Sequence, residues 1–203
     1  MCAFGTYLEL CGDLGVGPWE TLNRGIALHL PFTYGQVSVI VSLLVVVADL
    51  LLKERIGIGT ILDAVLVGTI VDLFFLLDPV ICGTLLMPRL LCLVTGMIII
   101  FIGQYIYMSA GLCCGPRDAL LVALGKRAKK LPVGAVQAML FLAVFAVAAL
   151  LGAPFGAGTL IVVLGGGPVM QLVFGLFHFD PRDVIHRDLV QSIADVHTAL
   201  KKT

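Results

Sequence analysis

Gly17-Pro18-Trp19-Glu20-Thr21-Leu22 is answered later in the chain by Gly115-Pro116-Arg117-Asp118-Ala119-Leu120, 98 residues on. Gly5 and Tyr7 answer Gly103 and Tyr105 at the same spacing. Gly57-Ile58-Gly59-Thr60-Ile61-Leu62 answers Phe155-Gly156-Ala157-Gly158-Thr159-Leu160, with Gly59-Thr60 matching Gly158-Thr159 at a spacing of 99. Three matches in one order indicate a duplication. One repeat covers residues 1–78, a second covers 79–178, and a tail covers 179–203. Each Gly-Pro places proline at a first helical position, where its missing N–H costs nothing. Each therefore predicts a short helix, over 18–29 and 116–130, at the interface or dipping into the membrane.

The surrounding composition says what solvent these repeats face. The chain has 203 residues, 60% hydrophobic and 13% charged. Soluble domains run near 45–50% apolar and about 25% charged. So much apolar surface cannot be hidden in a soluble fold of one-domain size; lipid must be a partner. The apolar runs are continuous rather than alternating, which favours helices. A bilayer core of about 30 Å needs about 20 such residues. Six candidate spans result, at roughly 1–15, 35–52, 58–77, 90–112, 133–152 and 157–177. The first is short, and its counterpart begins near Arg89. Residues 1–14 lack a basic leader, and Glu9 and Asp13 interrupt them, so they read as a span rather than a cleaved signal.

Three spans per repeat is an odd number, so the second repeat enters from the opposite side. The expected fold is an all-α membrane protein with about six transmembrane helices in two inverted three-helix repeats. Each repeat carries its Gly-Pro-initiated broken or interfacial helix. In the tail, Ile185, Leu189, Ile193, Val196 and Leu200 form one apolar stripe. This predicts an amphipathic helix lying on the membrane or docking on a partner chain. Lys and Arg divide eleven to two in favour of the side that holds the N-terminus, counting Arg117 with the eleven. By the positive-inside rule both termini are cytoplasmic. Formal net charge is zero, and no nucleic-acid partner is expected.

The candidate pathway residues are polar groups where lipid would disfavour them. Glu20 and Asp118 fall at the third helical position after Gly17 and Gly115, where a carboxylate meets the positive end of the helix dipole. They serve as caps or as a symmetric pair at a ligand site between Gly17-Pro18 and Gly115-Pro116. Arg117 stands where the first repeat has Trp19, so the halves differ chemically. Thr60 and Asp63 have the spacing of a capping box. Asp72 lies well inside an apolar run, where a lone acid marks function or an interhelical hydrogen bond. Asp49 is spaced to pair with Lys53. Glu9, Asp13, Gln104, Tyr105 and Tyr107 put polar groups on the matching spans before the Gly-Pro helices.

No phosphate-binding Gly-rich loop, zinc-protease or nucleophile-elbow motif occurs, so no enzyme activity and no cofactor is expected. The six cysteines and four histidines lack metal-ligand spacing, so no metal is expected.

The segments at 15–20, 57–63 and 115–120 resemble the YczE branch of the YczE/YyaS/YitT family. The resemblance covers nearly the whole chain and implies a bacterial, multi-span membrane protein, hence the inner membrane. Family sequences typically show Asp at Glu20, Asn at Asp63, and a longer first span. A broken-helix inverted repeat points to a small-solute transporter or channel with its site near the midplane. The alternative is a non-transporting binding or accessory protein, such as a substrate-capturing subunit or a scaffold. A second copy of the chain is a further candidate partner, as a homodimer.

Overall fold

The computed structural model describes residues 1–54, 56–78, 85–111 and 114–184, and these contain helices and no strand. The helices are α1 (Cys2–Gly12), α2 (Pro18–Ala27), α3 (Tyr34–Leu51), α4 (Ile58–Leu77), α5 (Leu86–Ser109), α6 (Pro116–Arg127), α7 (Val133–Leu150) and α8 (Ala157–Leu176). Five of them, α3, α4, α5, α7 and α8, are long and apolar enough to cross a membrane. They match five of the six expected spans within a few residues. The remaining expectation, a span over 1–15, is corrected: α1 has 11 residues, about 16 Å at the helical rise, too short to cross.

Large apolar side chains stand exposed along the long helices. Leu51 is 80% exposed, Leu76 83% and Leu150 88%. Such a surface suits hydrocarbon and not water. Both Gly-Pro pairs start helices as expected, with Gly17 and Gly115 as N-caps and proline in the first turn. α2 and α6 are not surface helices: Pro18, Trp19, Glu20, Thr21 and Asn23 are buried, as are Pro116, Asp118, Ala119 and Leu121.

α3 packs on α4, and α7 packs on α8. α1 lies against α4, and α5 against α8. α2 packs on α7, and α6 on α3. α1 and α5 pack on each other most extensively and run antiparallel, since Gly5 faces Gly96, Gly12 faces Arg89 and Gly103 faces Cys2. Glycine sets the distance at the two hairpin crossings. Gly35 meets Gly68 where α3 crosses α4, and Gly134 meets Gly167 where α7 crosses α8. Missing side chains let the backbones touch.

The chain between α1 and α2 is tied to the start of α8. Gly158 N donates to Leu14 O at 2.7 Å, and Val16 N donates to Thr159 Oγ1 at 3.2 Å. Gly15 takes φ +108° there, and a Cβ on it would lie 2.7 Å from Thr159 N. The chain entering α6 is tied to the start of α4, where Thr60 Oγ1 donates to Cys114 O at 2.6 Å. Thr60 is therefore not the N-cap expected of it. Gly57 is the N-cap, and its N–H donates to Thr60 Oγ1 at 3.4 Å.

The far ends of the short helices are also held. His29 Nε2 lies 3.2 Å from Leu151 O, and Arg127 Nη2 donates to Leu52 O at 3.0 Å. Below α8, Arg182 hydrogen-bonds Asp180 and donates to Leu131 O at 3.2 Å. That guanidinium holds the Asp180 carboxyl below the usual carboxylate range. The expected apolar stripe of the tail falls on 185–203, outside the described residues.

A Cβ on Gly68 would come within 2.7 Å of Gly35 O, so something in the backbone must move. We expect Gly68→Val to lower the apparent Tm in detergent by several degrees, for an overpacking cost of about 1–3 kcal/mol. Gly165→Ala, which points into open space, leaves Tm unchanged. Thermal unfolding of both variants checks the crossing.

Candidate functional site

The first turns of α2 and α6 open on one cavity of about 90 Å³. All eight helices contribute to its wall. Around one helix start stand Glu20, from the first turn of α2, and Glu9, from α1. Gly17 N donates to Glu9 Oε2 at 3.2 Å. Around the other stand Asp118, from the first turn of α6, and Asp63, from α4, whose carboxyl approaches Gly115. Four carboxyls thus face the positive ends of two helices, which favours negative charge at each.

Arg117 links the two helix starts. Its Nη1 donates to Glu20 Oε1 at 2.6 Å and its Nη2 to Ser38 Oγ at 3.1 Å. Its guanidinium also lies 5.4 Å from the centre of the Trp19 ring. Gln104 Nε2 donates to Asp118 Oδ1 at 2.8 Å. That bond fixes the amide's orientation and leaves Gln104 Oε1 buried without a partner. The Tyr107 hydroxyl is likewise buried without a partner. Both residues line the cavity. The lining also includes apolar side chains, Met97, Phe101, Phe141 and Val162 among them.

The expected site residues divide clearly. Gly17, Glu20, Asp63, Gln104, Arg117 and Asp118 all line the cavity. Pro18, Gly115 and Pro116 build the helix starts beside it. Asp72 does not join them. It accepts from Gly35 N at 2.9 Å and from Thr33 Oγ1 at 2.6 Å, so it caps the start of α3. Gln171 does the same for α7, accepting from Gly134 N at 3.0 Å. Glu20 and Asp118 are not backbone caps either; neither helix has a side-chain cap bond.

Of the lesser candidates, Glu9 and Tyr107 line the cavity, whereas Asp13 pairs with Arg89 at 3.0 Å and Tyr105 stacks on Phe177 at 4.2 Å. Asp49 is fully buried with neither carboxyl oxygen hydrogen-bonded, rather than paired with Lys53. Thr6, Ser38, Ser42 and Gln137 also line the cavity and were not singled out. A signal existed: Ser38 and Gln137 are polar residues at a spacing of 99 inside otherwise apolar spans. No group of three His, Cys, Asp or Glu among the described residues is arranged to hold a metal.

Comparison with known proteins supplies the family. Residues 1–174 match a family of unknown function, DUF6198. The chain belongs to the DUF6198 family. An uncharacterized protein of Haemophilus influenzae is 30% identical over 173 residues, covering 85% of this chain and 78% of that protein. Among the similar proteins of Bacillus subtilis, the uncharacterized membrane protein YczE is 30% identical, over 83% of this chain and 78% of its own length. YyaS of the same organism, also uncharacterized, is 27% identical over 84% and 85%. No solved structure matches. The DUF6198 match and these relatives agree with the YczE-like resemblance of the three motifs and with a membrane protein.

Removing one member of a buried ion pair strands the other's charge, at about 3–5 kcal/mol. Arg117→Met should therefore lower stability sharply, and Arg117→Met/Glu20→Gln should recover most of it. Asp72→Ala removes a cap and should cost about 0.5–2 kcal/mol. Unfolding in detergent reads all three.

Proposed function

We propose that this chain is a small-solute transporter or channel of the bacterial inner membrane, built as two inverted repeats with its site between them. One observation carries the reading: positions 98 or 99 residues apart meet across the cavity. Thr6 and Gln104, Glu9 and Tyr107, Trp19 and Arg117, Glu20 and Asp118, Ser38 and Gln137, and Asp63 and Val162 all line it in such pairs. A packing core would not bring chemically mismatched polar equivalents together around open space.

The packing supports inversion. α1 and α5, the equivalents, run antiparallel. Each helix pairing has its counterpart: α3–α4 with α7–α8, α1–α4 with α5–α8, and α2–α7 with α3–α6. So do the two latches, His29 on Leu151 and Arg127 on Leu52. A transporter on this plan alternates which latch is closed, so that the cavity opens to one face and then the other. The Lys126–Glu54 pair at 2.7 Å reinforces the latch of α6. Such chemistry needs no catalytic group, and we read the chain as a non-enzyme. Arg117 belongs to the cavity, so the charge asymmetry becomes ten to two, which still favours a cytoplasmic C-terminus.

The test is accessibility. In a cysteine-free background, Ser42→Cys should react with a membrane-impermeant maleimide, with protection shifting between the two faces as the latches are weakened by Arg127→Ala or His29→Ala. A reporter fused after Thr203 should register as cytoplasmic. Cavity positions sealed from both faces under all conditions would overturn the transport reading.

A further inference from the structure

We propose that the cavity selects a small organic cation bearing N–H donors, such as an alkylammonium or guanidinium group. This rests on the transport reading only for the ligand's passage, not for its binding.

The excess of carboxyls over guanidinium decides the sign. Among the described residues, Glu9, Glu20, Asp63 and Asp118 line the cavity, with Arg117 as their one cation. That arginine is already taken by Glu20 and Ser38. The remaining carboxyls receive only neutral donors, Gly17 N at Glu9 and Gln104 Nε2 at Asp118. An anionic solute would have to enter past three carboxyls with no cation left to meet it.

Hydrogen bonding decides the donor character. Among the described residues that line the cavity, the buried groups without partners are Gln104 Oε1, an acceptor, and the Tyr107 hydroxyl, which accepts or donates. Together with the carboxyls they form an acceptor-rich wall, which complements a ligand rich in N–H. Buried acceptors left unmet are costly, so a ligand that meets them gains specificity as well as affinity.

The apolar lining decides organic over inorganic. Met97, Phe101, Phe141 and Val162 line the cavity alongside the polar groups. They suit an alkyl stem or the face of a planar cation. The acids do not converge as metal ligands among the described residues. A cavity of about 90 Å³ has room for several waters or one solute of a few heavy atoms.

The test is binding and flux measured separately. Purified full-length protein in nanodiscs is titrated with ethylammonium and guanidinium, with acetamide and acetate as neutral and anionic counterparts, and with sodium. Saturable binding of an organic cation, and not of acetamide or acetate, is expected. Asp118→Asn and Glu9→Gln should each weaken it about tenfold or more, the worth of one charge-assisted bond. Asp63→Asn gives the same readout should either variant fail to fold. Preference for acetate or acetamide, binding of sodium alone, no binding of any probe, or unchanged affinity in all three variants overturns the inference. Proteoliposome counterflow of the bound cation then tests the other reading. Binding without flux leaves the cation site standing and removes transport. Flux of an anionic or neutral solute does the reverse.

Discussion

A helix that stops inside a membrane protein leaves backbone N–H groups that water cannot reach, and each must find a partner. The fold turns on two such places, ahead of Pro18 and Pro116. Proline removes one donor at each start. Groups brought from elsewhere hold the backbone just ahead of each start: Glu9 and Thr159 accept from Gly17 N and Val16 N ahead of α2, and the Thr60 hydroxyl donates to Cys114 O ahead of α6. The partners that serve each break come largely from the other half of the chain. Neither half could bury its break alone, so satisfying the backbone and joining the halves are the same event.

That requirement explains why polar residues gather at the centre. Glu9 and Glu20 would be expensive anywhere in hydrocarbon. At a helix N-terminus each sits against aligned dipoles and free N–H groups, which lower the cost of burial. Arg117 then offsets one carboxyl and braces Ser38 on α3. The cavity is thus a by-product of how the breaks are satisfied and, at the same time, the place where unmatched acceptors remain.

The helices were legible because their apolar runs are long and the Gly-Pro pairs mark starts that backbone geometry enforces. The matched Gly-Pro segments were legible from spacing alone, and they pointed to Gly17, Glu20, Arg117 and Asp118. Depth in the span left Asp72 open between function and an interhelical hydrogen bond, and the structure shows the second. Asp72 caps α3 across a glycine crossing, a job Gln171 performs on α7. No one-dimensional pattern shows that an acid on one helix faces the start of its neighbour. Asp63, a candidate pathway residue, also carried a cap reading that the structure does not keep. Its spacing from Thr60 suggested a local cap, yet Gly57 is the N-cap, and Asp63, one turn farther on, turns into the cavity. Ser38 and Gln137 were missed because single small polar residues are common in spans, and only their matched positions distinguish them.

The exchange of Trp19 for Arg117 has an evolutionary corollary. A half-length ancestor paired with an inverted copy of itself would carry the same residue at both places: two tryptophans, or two arginines facing each other. Under the proposed inverted duplication, only copies fused into one chain let one position be aromatic and the other cationic. The guanidinium now lies over the ring of its own counterpart, 5.4 Å from its centre. The pocket is therefore handed. A ligand held there has a head and a tail fixed by the protein, which a symmetric dimer could not impose.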